Sequence, residues 1–481
     1  MRRYLIVILS TLLAIFSISA PVQARDLPAI APKISCNALS GWEFTAEHTK
    51  VLIQATEEIS AEKLPNYCKV SGLIAPQTHF ELRLPTANWQ QRMLFTGCGG
   101  FCGFVKIRPQ AALGCPTLDN GSMVTVATDM GHTANVGDTS WASGNAEARA
   151  NFGHRAVHLT TVAAKAIVAH FYGQASRYHY FSGCSDGGRE AMIEAQRYPH
   201  DYNGIIAGAA VINHTANNSI YHAWLAQHLY ARDGTVLFSA AQLLAVKSAA
   251  TAQCDAQDGQ KDGFIAQPWS CDFKPESLKC GPKNPDNCLS DAQVALVSAI
   301  YTGPVSAAGK PLYFGAPIGS EANWISQGKM SQNFGTSFIT NFTGETASTP
   351  VNVFDTGYTA ANIAKYNHFS SILNATSPNL ARFFAAGGKL ILWHGAADSS
   401  VPMGSSLAYY HKLHAKFGKA TGNHAKLYML PAVGHCGGGD GPDQLDLLSK
   451  IMAWIEDRQA PSALVAHTKS GAEWHITPFH N

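Results

Sequence analysis

The run Tyr178-His179-Tyr180-Phe181-Ser182-Gly183-Cys184-Ser185-Asp186-Gly187-Gly188-Arg189-Glu190-Ala191-Met192 leaves this chain few ways to fold. It reads as a short apolar strand, a glycine-rich turn and the start of a helix. Inside it, Gly183-Cys184-Ser185-Asp186-Gly187 fits G-x-S-x-G, a strand-to-helix turn that presents a nucleophilic serine. A serine on so tight a turn is pushed out of the fold, and the glycines remove side chains that would crowd it. The helix start also leaves a free backbone N–H for a developing oxyanion. An ordinary surface turn fits the same common residues, so the reading depends on partner residues elsewhere.

The chain around this turn alternates. Strand-like runs at 50–55, 67–75, 80–84, 92–96 and 123–127 precede a segment with helical spacing at 151–172, and 202–210 is a further strand. From about 213 to 378 the rhythm is lost among Asn, Ser, Thr, Gly and Pro. It returns with a helix near 379–385, a strand at 389–393, a helix at 405–417, a strand at 425–430 and a helix at 444–457. Strands alternating with helices on both sides of an insertion imply an α/β fold, a mostly parallel sheet interrupted by a separate domain. The expected divisions are 1–24, a signal peptide; 25–213, the first part of the core; 214–378, the inserted domain; and 379–481, the second part of the core.

Composition excludes some functions. Charged residues are 14% and apolar ones 46%, which suits a packed globular protein. Net charge is +2 with no long basic run, which argues against nucleic acid as the partner. At the N-terminus, Arg2-Arg3 precede an apolar run over 4–19, and Val22-Gln23-Ala24 suits cleavage before Arg25. A membrane anchor is the alternative, but the run is short and no stop-transfer charge cluster follows. The expectation is a secreted or periplasmic protein with no membrane anchor after cleavage. Eleven cysteines in an exported chain should be mostly disulfides, and the odd number leaves at least one over.

A serine nucleophile needs a base to take its proton and an acid to orient that base. Both follow in the chain. The strand at 389–393 runs into His394-Gly395-Ala396-Ala397-Asp398, and the strand at 425–430 runs into Pro431-Ala432-Val433-Gly434-His435-Cys436. Each candidate sits on a loop after a parallel strand, where such sheets place ligands. Taken alone, His435 could be a solvated loop histidine and Asp398 a turn residue. Taken together, Ser185, Asp398 and His435 have the right types in the right order. Cys184 precedes the serine and Cys436 follows the histidine, so contact between Ser185 and His435 would make these cysteines neighbours able to form a disulfide. A small buried cysteine is the other reading of Cys184.

These paired motifs, Cys184-Ser185…Asp398…His435-Cys436, resemble the tannase/feruloyl esterase family, which also takes in mono(2-hydroxyethyl) terephthalate hydrolases. The resemblance covers nearly the whole chain from Cys36 to about residue 460. It implies an α/β-hydrolase core with a large inserted lid, acting on esters of aromatic acids such as feruloyl or galloyl groups. A terephthalate-monoester hydrolase, or a non-catalytic aromatic- or sugar-binding protein on the same shell, are the alternatives. It assigns Ser185 as nucleophile, His435 as base and Asp398 as orienter. Gly99-Gly100-Phe101 resembles the family's oxyanion loop, which makes the backbone N–H groups of Gly100 and Asp186 the oxyanion donors. Asp129 and His132 resemble a further motif and are read as support for the site.

Cys254-Asp255-Ala256-Gln257-Asp258-Gly259-Gln260-Lys261-Asp262-Gly263-Phe264 crowds carboxylates into a glycine-punctuated loop. Its spacing is not that of an EF-hand, and spacing alone suits a solvated acidic turn. The resemblance implies a structural Ca²⁺ held in the lid by Asp255, Asp258 and Asp262 with carbonyls of Gln260 and Phe264, and no organic cofactor. It also implies the pairs Cys254–Cys271, Cys280–Cys288 and Cys36–Cys68; Cys98, Cys102 and Cys115 stay unassigned. The lid carries Tyr221, Trp224, Trp269, Trp324, Phe334, Phe338, Phe342 and Phe354, some of which should wall an aromatic pocket. After about residue 460 the chain departs from the family, without the cysteine-containing tail expected there.

Overall fold

The computed structural model describes residues 25–61, 64–282, 286–343 and 349–480; the signal-peptide segment lies outside them. Its centre is a ten-stranded sheet in the order β1-β2-β3-β4-β6-β5-β7-β8-β9-β10. The strands are β1 Glu43–Ala46, β2 Thr49–Ala61, β3 Leu64–Ile74, β4 Thr78–Pro85, β5 Arg92–Thr96, β6 Met123–Thr128, β7 Tyr178–Cys184, β8 Gly204–Gly208, β9 Lys389–Gly395 and β10 Ala425–Leu430. From β6 to β10 every pairing is parallel, while β1 to β4 form an antiparallel extension that joins at β6. The α/β-hydrolase architecture with a mostly parallel catalytic sheet is therefore present.

Eight helices among the described residues run to eight residues or more. They are α1 Ala156–Tyr172, α2 Asp186–Arg197, α3 His222–Leu229, α4 Ala240–Cys254, α5 Asp291–Thr302, α6 Trp324–Asn341, α7 Gly404–Phe417 and α8 Leu447–Glu456. Parallel neighbours need a crossover between them, and α2 and α7 provide two of these, while α1 carries the chain from β6 past β5 to β7. The strand pattern explains why both faces are covered. Phe95, Phe181, Ile205 and Leu390 stand in one row across β5, β7, β8 and β9 and join one apolar cluster. Their neighbours Leu94, Tyr180, Ile206 and Ile391 point the other way into a second cluster with α8.

The insertion between β8 and β9 has an apolar centre of its own, including Leu225, Val246, Val297, Ile300 and Trp324. Ser239 and Ser290 cap α4 and α5 through capping boxes. One expected helix is shorter than 444–457. Gln444–Leu445 forms a strand, β11, paired with β12 Leu464–His467, which in turn pairs with β13 Glu473–Ile476. Asp446 then caps α8 by accepting the Ser449 N–H at 2.9 Å, so the helix begins at Leu447. The unusual C-terminus thus folds back on the molecule, where Trp474 packs on Phe264 and Phe479 on Trp269. Among the described residues no helix is long and apolar enough to cross a membrane.

Candidate active site

Ser185 sits between β7 and α2 with φ 65° and ψ −120°. A non-glycine residue is held in that strained region only when its surroundings fix it. Here they do: the Ser185 N–H donates to the Gly208 carbonyl at 3.0 Å, and its own carbonyl accepts from Val211 at 3.1 Å. The glycines are required by close approach. A Cβ on Gly183 would lie 2.4 Å from the Gly187 carbonyl oxygen, and one on Gly188 would lie 2.4 Å from that of Gly208.

The loops after β9 and β10 bring the other two candidates to this turn. His435 Nε2 is 2.8 Å from Ser185 Oγ, and His435 Nδ1 is 2.7 Å from Asp398 Oδ2. Asp398 is fully buried, and its Oδ1 accepts the N–H groups of Ser400 at 2.8 Å and Val401 at 2.9 Å. Burial alone would raise this carboxyl, but the His435 charge and hydrogen bonds from His394 and His435 hold it well below the usual range. The aspartate is thereby an anion that fixes the histidine tautomer, leaving Nε2 free to take the serine proton. Cys184 and Cys436 form a disulfide with Cα atoms 5.9 Å apart, tying the turn to the histidine loop.

Ser185, Asp186, His435 and Gly100 line one cavity of about 420 Å³. Gly100 has φ +65°, and a Cβ there would lie 2.5 Å from the Val136 carbonyl oxygen, so the loop can pass the site only as glycine. Behind the loop, His132 Nε2 is 3.2 Å from the Phe101 carbonyl, with its ring stacked on Trp141. Burial lowers His132 to about 4, so it is neutral and can donate that hydrogen bond. Asp129 accepts the N–H groups of His79 and Gly131 at 2.9 and 2.8 Å, shaping the turn that carries His132. Cys98 and Cys102 are also bonded, bracketing the glycine loop, and Cys115 is left free and buried.

Sequence reasoning did not single out several residues of this site. Glu190 on α2 is buried beneath the loop and accepts the Cys98 N–H at 3.4 Å; burial and the neighbouring Asp186 charge hold its carboxyl well above the usual range. Asn217, His222 and Met330 line the cavity from the insertion. Of the eight lid aromatics, Phe334 alone lines it; Trp324, Phe338 and Phe342 are fully buried in packing. Lys106 and Arg108 line it from the core. Only for these last two did the sequence carry a signal, the alternation of Phe104, Lys106, Arg108 and Gln110.

The acidic loop is a separate place. Asp255 Oδ1 accepts the N–H groups of Asp262 and Gly263 at 2.9 and 3.1 Å, and Asp258 Oδ1 accepts that of Gln260 at 3.0 Å. Asp258 and Gln260 line a depression with Trp474 of the C-terminal strand, away from the catalytic cavity. Partial desolvation and the charges of Asp255 and Asp258 raise the Asp262 carboxyl. Carboxylates and backbone carbonyls are the oxygen ligands that suit Ca²⁺, but among the described residues the carboxylate oxygens of Asp255, Asp258 and Asp262 are not drawn into one cluster, those of Asp255 and Asp258 being bonded to N–H groups of the loop. The pairs Cys36–Cys68, Cys254–Cys271 and Cys280–Cys288 are all formed.

Comparison with known proteins gives concordant matches. The profile described as tannase and feruloyl esterase matches residues 62–477. The mono(2-hydroxyethyl) terephthalate hydrolase of Piscinibacter sakaiensis is 31% identical, over 93% of this chain and 86% of that protein. A probable feruloyl esterase of Arthroderma benhamiae is 30% identical, over 82% of this chain and 75% of its own. The crystal structure of feruloyl esterase B from Aspergillus oryzae shares the fold at 23% identity, with TM-score 0.80, covering 92% of this chain and 96% of that one.

Proposed function

We propose, because this chain belongs to the tannase and feruloyl esterase family and is a carboxylic ester hydrolase, that it cleaves esters of aromatic acids through a serine acyl-enzyme. His435 takes the Ser185 proton as Oγ attacks the ester carbonyl. The oxyanion is met by the backbone N–H groups of Gly100 and Asp186, each such donor contributing about 10²–10³ in kcat. His435 then protonates the departing alcohol, and a water repeats the sequence to release the acid. Asp398 holds the imidazole in place throughout. The observation that carries this reading is the continuous chain Ser185–His435–Asp398, at 2.8 and 2.7 Å, on the floor of a cavity walled by Phe101, Met330 and Phe334.

The same reading has two subsidiary parts. Asp255, Asp258 and Asp262, with carbonyls of Gln260 and Phe264, hold a Ca²⁺ that supplies structural charge balance to the lid and no chemistry. The N-terminal segment directs export, and a mature chain beginning at Arg25, found by N-terminal sequencing, would report it.

Turnover of methyl ferulate, methyl gallate, chlorogenate and the terephthalate monoester tests the main claim. At least one should be hydrolysed, and Ser185→Ala should lower kcat by about 10⁴-fold or more. Wild-type turnover retained by Ser185→Ala would overturn the serine mechanism.

A further inference from the structure

One wall of the cavity carries two cations that have no ion-pair partner among the described residues. Phe104, Lys106, Arg108 and Gln110 line the cavity, whereas Val105, Ile107 and Pro109 do not. That is the alternation of an extended segment with one face on the site. The segment is anchored. Gly103 bridges to Ala134, the Arg108 N–H donates to Thr96 Oγ1 at 3.4 Å, and the Ser182 hydroxyl donates to the Gln110 carbonyl at 2.7 Å. Thr96 ends β5 and Ser182 lies on β7, so the strand that delivers Ser185 also helps to fix this wall.

Lys106 and Arg108 are exposed, and neither has an ion-pair partner among the described residues. The one carboxylate lining the cavity, Asp186, is 1% exposed and already engaged by Arg189 at 2.6 Å. His214 and His222, which also line it, are lowered by burial and therefore neutral. The site thus pairs apolar walls with two uncompensated cations. A concave surface of this kind concentrates field and draws anions towards it.

We propose that Lys106 and Arg108 form a carboxylate-recognising rim, so that the preferred substrate is an aromatic-acid ester bearing a free carboxylate away from the scissile bond. This rests on the esterase reading above. The anion has two possible sources, the ring of an aromatic dicarboxylic acid monoester or the alcohol half of a hydroxy-acid ester. Either presents a planar anion that Arg108 can meet with two parallel donors and Lys106 as a point charge.

Two matched substrate pairs test the rim: chlorogenate against its methyl ester, and mono(2-hydroxyethyl) terephthalate against its methyl-capped form. The wild-type enzyme should favour the free acid of one pair by about 3- to 10-fold in kcat/KM at low salt, as expected for exposed charges acting together. The preferred pair identifies which half carries the anion. The preference should reside mainly in KM and shrink in 0.5 M salt, roughly three-fold above physiological ionic strength. The double variant Lys106→Met/Arg108→Gln should lose the preference, and Lys106→Glu/Arg108→Glu should reverse it. Both side chains are exposed, so these changes leave the fold intact. No preference in either pair, or an equal preference in the variants, overturns the rim and leaves the esterase standing. Turnover of methyl ferulate or methyl gallate with none of these four esters hydrolysed overturns the rim alone; no turnover of any of the six overturns the aromatic-ester reading, and the rim with it.

Discussion

Ser185 and His435 reach the cavity from the ends of parallel strands, with Asp398 buried behind the histidine on a third, whereas His222, Met330 and Phe334 reach it from helices α3 and α6 of the insertion. On the sheet side, position is set by backbone. Ladder hydrogen bonds fix β7, β9 and β10, and a disulfide spanning 252 residues fixes the serine turn to the histidine loop. On the lid side, position is set by side-chain packing around a separate apolar cluster, with disulfides spanning only 17 and 8 residues. Proton transfer needs atoms placed to a fraction of an ångström, and the sheet edge supplies that. A pocket wall needs only shape, which packed helices supply.

The largest effect that can break this contrast lies in the two kinds of disulfide. In the chain-entropy model, closing the long Cys184–Cys436 loop contributes about 5 kcal/mol and the short Cys254–Cys271 loop about 3 kcal/mol. Replacing Cys184 and Cys436 by serine should therefore lower the melting temperature further than replacing Cys254 and Cys271. It should also depress kcat, because the bond ties the nucleophile's turn to its base. The lid pair should cost stability alone. Thermal melts and turnover of the two double variants decide it; an equal loss of kcat in both would show that the lid, too, positions the chemistry.

Legibility in the sequence follows the same line. Ser185, Asp398 and His435 could be found because each follows a strand with a strong apolar pattern, and the pairing of Cys184 with Cys436 follows from their neighbours. Strand β11 could not, because two residues carry no periodicity and its partner lies some twenty positions on. On α6 and its C-terminal cap, Phe334, Phe338 and Phe342 follow at four-residue spacing, yet Phe334 faces the cavity while the other two are core. Spacing reveals the stripe but not which end meets the substrate, since that depends on how α6 lies against the glycine loop. Asn217 and His222 were missed for the same reason.

Calcium should sharpen the contrast next. Chelation should lower the melting temperature, through loss of the roughly 3 kcal/mol of stability expected at a hundredfold excess over Kd, and added Ca²⁺ should restore it. Asp262→Asn should abolish that response. Turnover well below the melting range should stay unchanged on chelation, because Asp258 and Gln260 line a depression shared with Trp474 and not the catalytic cavity. A kcat that rose and fell with calcium would couple the lid loop to the chemistry.

The smallest effect concerns acid, where the two sides should yield in different windows. Burial, reinforced by the His435 charge, lowers His222 to about 3, and its ring is held by Ser331 at 2.8 Å and Asn217 at 3.1 Å. An unfolded histidine titrates near 6.5, so between about pH 6.5 and 3 the unfolded chain binds a proton that the folded chain refuses. Stability falls as pH falls through that window, by about 2 kcal/mol at pH 5 from this residue. Asp398 acts in the same direction but later. Its carboxyl is held below its ordinary value of about 3.9, so its contribution is intact until the pH drops under about 4. His222→Gln should therefore lessen the slope of the melting temperature against pH between 7 and 4.5, without abolishing it, because His132, His154, His179 and His214 are also lowered by burial, and should leave the fall below pH 4 in place. Parallel profiles for wild type and variant across the upper window would mean that the lid's seat on the core does not depend on a neutral His222.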